Sequence, residues 1–155
     1  MPEEKLEFIT RKFVPLLQPL AADAMGKWGK MNAQQMVEHV AGFFMVSSEK
    51  YKFPIVTPVE HLPKYKEFLL SDKEFRENTK APAGVVPDEP RPTTRASMEE
   101  ALDELQQEID YFVQYFIDHP CAKTAHPVFG ELDFDEWVLL HYKHVTHHAK
   151  QFGLL

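Results

Sequence analysis

Leu6, Ile9, Phe13, Leu16, Leu17 and Leu20 recur at three- and four-residue spacing, which places their side chains on one face of an α-helix. Pro15 falls inside that stripe. Its ring clashes with the preceding turn and it lacks a backbone donor, so the helix is expected to end or kink near Val14. Residues 21–31, AADAMGKWGKM, contain two glycines and read as a connection. The next helix is announced by its cap. Asn32 serves as N-cap with Gln35 three residues on as a capping box, and Met31 and Met36 are placed as a hydrophobic staple. The pattern carries this helix over 33–48. Pro54, Pro58 and Pro63 make the following stretch mostly irregular, with a short helix across 61–70 in HLPKYKEFLL. From Ser71 to Ala96, with Pro82, Gly84, Pro87, Pro90 and Pro92 among many polar residues, no period emerges. A connection of that length is either a bare crossover between helices or a binding loop.

Ser97 caps a third helix with Glu100 at its third position, and Met98, Leu102, Leu105, Ile109, Phe112 and Phe116 supply the apolar stripe through about Asp118. Its opposite side carries Glu99, Glu100, Asp103, Glu104, Glu108 and Asp110, which read as a solvated face. A fourth helix repeats the logic of the second. Asp133 is its N-cap, Glu136 completes the box, Leu132 and Trp137 form the staple, and Gly153 stops a helix of about 134–152. Four helices with no convincing alternating strand and no internal repeat predict an all-α four-helix bundle.

Length and composition add bounds. A chain of 155 residues with 44% apolar residues supports one domain, 1–155, with its own core. The N-terminus has no apolar run of signal-peptide type, and no window approaches the roughly 20 apolar residues of a membrane span, so the expectation is a cytoplasmic protein without a membrane partner. The lone Cys121 has no partner for a disulfide or thiolate site and reads as buried or idle. A formal charge of −7, without a basic run, argues against nucleic acid.

The specific chemistry lies in HYKHVTHH, residues 141–148, which hold four of the eight histidines. At about 100° per residue, Phe134, Trp137, Val138, His141, Val145, His148 and Phe152 share one sector, with His144 at its edge and His147 pointing well away. His144 and His148 stand side by side one turn apart. An i, i+4 histidine pair can reach one metal ion, but His141 with His144 and His144 with His147 are competing pairs. Buried imidazoles need partners, and hydrogen bonds would serve as well as a metal. In the second helix, Gln35, His39, Phe43 and Val46 share a stripe, so His39 faces inward and is the available third ligand. Three neutral imidazoles with an open position suit zinc, and are compatible with nickel, iron or manganese.

The segments WGKMNAQQMVEHV (28–40) and HPVFGELDFDEWVLLHYKHVTHHAKQF (126–152) resemble the DinB/YfiT-like superfamily of four-helix metalloproteins, in a small bacterial branch with an HPxFG turn before its last helix. The resemblance implies a metal held by His39, His144 and His148, with Gln151 following the pair. It thus selects His144 and His148 over their competitors. It also implies an up-down-down-up bundle with a long crossover between the second and third helices, into which 71–96 fits, and frequently a homodimer.

A divalent ion so held, zinc or nickel before iron or manganese, lowers the pKa of a bound thiol or water. Three functions follow. The first is transfer of a low-molecular-weight thiol to an electrophilic small molecule, as relatives in the superfamily do; the second is metal-dependent hydrolysis. The third is a non-enzymatic bundle with a structural metal that binds a partner, for which a closed site with a fourth, carboxylate ligand would be the mark. His126 and His141 are candidates for general acid or base, their alternatives being a turn residue and a packed histidine. Gln35 and Gln151 are candidates for orienting water or a ligand. Trp28 and Trp137 are expected to fill the core.

Overall fold

The first apolar stripe does turn inward: Ile9, Phe13 and Leu17 are fully buried. They lie on one continuous helix in a computed structural model that describes residues 2–77 and 89–155. This helix comprises α1 (Pro2–Glu7), a wider π-helical turn (Phe8–Lys12) and α2 (Phe13–Leu17). The helix therefore does not end near Val14 but runs on to Leu17. In the wider turn the Phe13 N–H bonds to Phe8 O, five residues back. Pro15 follows this wider turn directly, at the third residue of α2.

The connection after α2 folds back on the start of α3 (Ala33–Ser47), where Ala33 N and Gln34 N donate to Ala24 O and Ala22 O. These bonds and the Asn32–Gln35 capping box, with both arms at 2.9 Å, satisfy N–H groups that a helix start leaves orphaned. A 3₁₀ turn (Val59–His61) leads into α4 (Leu62–Leu70), which buries Leu69 and packs on the last helix. α5 (Met98–Asp118) starts at Ser97, whose hydroxyl accepts from Glu100 N. α3 and α5 pack along one another, with the Phe44 and Phe112 rings 5.7 Å apart. α6 (Phe134–Gln151) carries the predicted Asp133–Glu136 box, ends before Gly153 at φ 75°, and contacts α1, α3 and α4.

Three expectations change. A short antiparallel hairpin, β1 (Thr124–His126) and β2 (Gly130–Leu132), precedes α6, in register Thr124↔Leu132, Ala125↔Glu131 and His126↔Gly130. Three residues per strand are too few for alternation to be read. Glu108 is buried rather than on the solvated face of α5, and Lys50 reaches across to donate to it at 3.0 Å. Glu99, Glu100, Asp103 and Asp110 are exposed as expected. Of the two readings of Cys121, buried or idle, exposure removes the first.

The fold is thus mostly helical with one small sheet among the described residues. No helix among them is long and apolar enough to cross a membrane. Of the predicted 71–96 connection, residues 78–88 lie outside the described residues. Its first leg is held to α6 by the buried residue Lys143, whose Nζ donates to Ser71 O at 2.7 Å and to Lys73 O. Its last leg is held to α3, where Gln34 and Gln35 donate to Arg95 O and Arg91 O.

Candidate metal centre

α3 and α6 bring His39, His144 and His148 together. His144 Nε2 lies 3.1 Å from His39 Nε2 and 3.0 Å from His148 Nε2, and the three ligand atoms all lie within 4.8 Å of one another. Two nitrogens each about 2.0–2.1 Å from one zinc stand about 3.3 Å apart at the tetrahedral angle and about 2.9 Å apart at a right angle. The two separations from His144 fall between these values. Among the described residues no carboxylate or thiol joins the cluster. His144 and His148 are buried, and His39 is half-buried at the solvent side.

His148, the second histidine of the pair, is locked by Gln151. His148 Nδ1 donates to Gln151 Oε1 at 2.7 Å, while Gln151 Nε2 donates to Trp28 O at 2.9 Å. With its proton on Nδ1, the ring turns the Nε2 lone pair into the cluster, the arrangement that an outer partner imposes on metal-ligating histidines. The Trp28 loop can come this close because of its glycines. A Cβ on Gly26 would sit 2.8 Å from Gln151 Cγ, and one on Gly29, at φ 80°, would sit 2.7 Å from Gln151 Nε2. The two glycines of AADAMGKWGKM therefore serve the site. Phe43 packs on His39 and His144 with ring centroids 5.0 and 4.3 Å away. His144 Nδ1 is buried without a partner among the described residues, a cost of roughly 1–3 kcal/mol.

Burial keeps these rings neutral. His39 is lowered to about 4 by desolvation, with the charges of Arg91 and His147 adding to it. His144 and His148 fall well below the usual histidine value, again chiefly by burial and then by their neighbouring histidines. Metal binding requires the unprotonated imidazole, so the cluster holds its donors ready at neutral pH.

The remaining candidates are placed elsewhere. His126 closes the hairpin turn, with Nδ1 accepting from Val128 N at 3.0 Å and Phe129 N at 3.2 Å. Burial lowers it to about 3. His141 is stacked on Phe44 at 3.8 Å and bonded to Ser47 Oγ at 2.9 Å. Since Ser47 Oγ donates to Phe44 O, it accepts from His141 Nε2–H, and the chain of bonds continues from Thr124 Oγ1 to Ser47 O and from Trp137 Nε1 to Thr124 Oγ1. His141 is thus a packed core histidine, and Trp137 is fully buried as expected. Trp28 is half-buried and contributes its carbonyl to the site. Gln35 is occupied by the capping box and by Arg91 O. His147 is not one of the converging ligands, although its ring lies 5.2 Å from that of His148, 5.5 Å from Trp28 and 6.0 Å from Phe75. Sequence reasoning missed Ser47 and Thr124, whose small hydroxyls leave no periodic signal.

The class these features define is a mostly helical protein whose three-histidine cluster can hold a metal ion. The chain belongs to the family described as Protein of unknown function (DUF1569), whose model matches residues 9–153 and so spans the whole cluster. No curated protein and no solved structure matches the chain.

Proposed function

We propose that the protein is a DinB-like four-helix metalloenzyme in which His39, His144 and His148 hold zinc or nickel, and that it transfers a low-molecular-weight thiol to an electrophilic small molecule. The observation that carries the reading is the convergence of three neutral Nε2 donors with no carboxylate or thiol among them in the described residues. That donor set suits a divalent ion with an open position, as catalytic rather than structural zinc sites have. When bound, such an ion lowers the pKa of a thiol or water and supplies a nucleophile at neutral pH.

The protein's own part is to orient and to exclude water. Gln151 holds the His148 tautomer, Phe43 covers the His39 and His144 rings, and the Trp28 carbonyl fixes Gln151. Both candidate proton carriers are occupied, His126 by two backbone N–H groups and His141 by Ser47. This favours thiol transfer over hydrolysis. A thiol ionises more readily than water and depends less on a general base beside it.

The test is metal content by mass spectrometry on untagged wild type, His39→Ala and His148→Ala, followed by a thiol-by-electrophile screen. About one divalent ion per chain, lost in both variants, and turnover that disappears with it are expected. Wild-type protein that takes up no ion from zinc or nickel at neutral pH refutes the metal reading. A loaded protein that hydrolyses substrates without thiol refutes the transfer.

A further inference from the structure

We propose that a cavity beside the metal centre binds the flat ring of an uncharged aromatic molecule, the electrophile of the proposed transfer. The fit to a ring follows from the lining of the cavity, whereas its part in the transfer rests on the metal reading above.

The cavity holds about 310 Å³, at the lower end of the range for small-molecule sites. It is lined by the loop that carries Trp28, by the chain following α4 and by α6. Three of the lining residues, Trp28, Phe75 and His147, are rings, and each is only half-buried. The His147 ring meets Trp28 at 5.5 Å and 61° and Phe75 at 6.0 Å and 81°, so the three form one connected aromatic wall. His147 is the one histidine of HYKHVTHH that neither joins the cluster nor packs in the core.

This wall is shared with the metal centre. The His147 ring lies 5.2 Å from that of His148. The Trp28 carbonyl accepts from Gln151, whose Oε1 in turn holds His148 Nδ1. A ring seated in the cavity therefore rests on residues that touch a ligand of the cluster or its hydrogen-bond partner.

Charge in the lining cancels. Lys27 and Lys150 are balanced by Glu74 and Glu77, and Lys150 is bonded to Glu74. A lining without net charge attracts neither an anion nor a cation. Selection then falls to the rings, whose offset and edge-on contacts favour an aromatic over a saturated ring by about fivefold.

The probe is 4-nitrobenzyl alcohol, an uncharged aromatic without a leaving group for the transfer, which quenches tryptophan fluorescence on contact. Saturable quenching is expected in wild type and is lost in Trp28→Leu, where only the core residue Trp137 remains. Benzyl alcohol should displace the probe about fivefold better than cyclohexylmethanol, and better than benzoate or benzylammonium. Phe75→Leu should narrow the aromatic preference while circular dichroism and metal content stay unchanged. Quenching that does not saturate, equal displacement by the aromatic and saturated alcohols, or a preference untouched by Phe75→Leu overturns the cavity assignment. Proximity to the metal is read from the probe's ring protons, which should relax faster in cobalt(II)-loaded than in zinc-loaded protein. Saturable binding with identical relaxation in the two overturns the cavity's part in the transfer. A protein that takes up no metal refutes the transfer reading, and the quenching titration, which needs no metal, then decides the cavity by itself.

Discussion

The buried histidines make the metal-free protein acid-labile, and the size of the effect follows from where they sit. His126 is lowered to about 3 and His39 to about 4, both chiefly by burial, from an ordinary value of 6.5. Their folded-state values lie below the unfolded ones. Between these limits the unfolded chain binds protons that the folded chain does not, so stability falls as pH falls from 6.5. At pH 5 the gap is about 1.5 pH units for each ring, or about 2 kcal/mol at 1.36 kcal/mol per unit. The two rings together remove about 4 kcal/mol from a total that for most domains is only about 5–15 kcal/mol. His141, His144 and His148 act in the same direction. Carboxylates contribute little above pH 5, since most of them remain ionised in both states. The assay is urea unfolding in the presence of a chelator at pH 7.5 and pH 5, followed by far-ultraviolet circular dichroism. Unfolding free energy should drop by at least about 4 kcal/mol. In His126→Asn, whose side-chain carbonyl can accept from Val128 N and Phe129 N, the drop should shrink by about 2 kcal/mol. A decrease under about 1 kcal/mol in wild type, or an unchanged pH dependence in His126→Asn, would refute the reasoning.

Three further outcomes are expected. Gln151→Ala, which frees the His148 ring, should weaken zinc affinity about 10- to 100-fold in a competition titration while the circular dichroism spectrum stays unchanged; unaltered affinity would remove Gln151 from the site. Thr124→Val strands the Trp137 indole N–H and the Ser47 carbonyl, and should lower unfolding free energy by about 2–4 kcal/mol, read by Trp fluorescence in a urea titration. Gly130→Ala forces a side chain into φ 84° with its Cβ 3.3 Å from Leu62. It should cost about 1–2 kcal/mol by thermal unfolding, and a neutral result would contradict the hairpin geometry.

The helical elements and their caps were legible in the sequence because they depend on local chemistry. Asn32 with Gln35, Ser97, and Asp133 with Glu136 each mark a helix start through bonds to residues three positions away. The stripe that put His39 inward on α3 and His148 inward on α6 follows from helical geometry alone. Spacing left several histidine pairs open on α6, and a resemblance chose between them. Only the packing of α3 against α6 brings three Nε2 atoms into one place, since His39 and His144 are 105 residues apart along the chain. The same holds for whatever depends on distant partners. Pro15 was read from its own ring, yet the π turn before it decided that the helix continues. Glu108 was read from its charge, yet it is buried and paired with Lys50 from another part of the chain. Gly26 and Gly29 looked like loop punctuation until Gln151 came within 3 Å of where their side chains would be. His126 and His141 were candidates for proton transfer by residue type, and the tertiary structure occupied both with hydrogen bonds. Local sequence determines which face a side chain takes, because propensity, capping and periodicity act within a few residues. What that side chain meets is decided by tertiary packing, because the partners come from elsewhere in the chain.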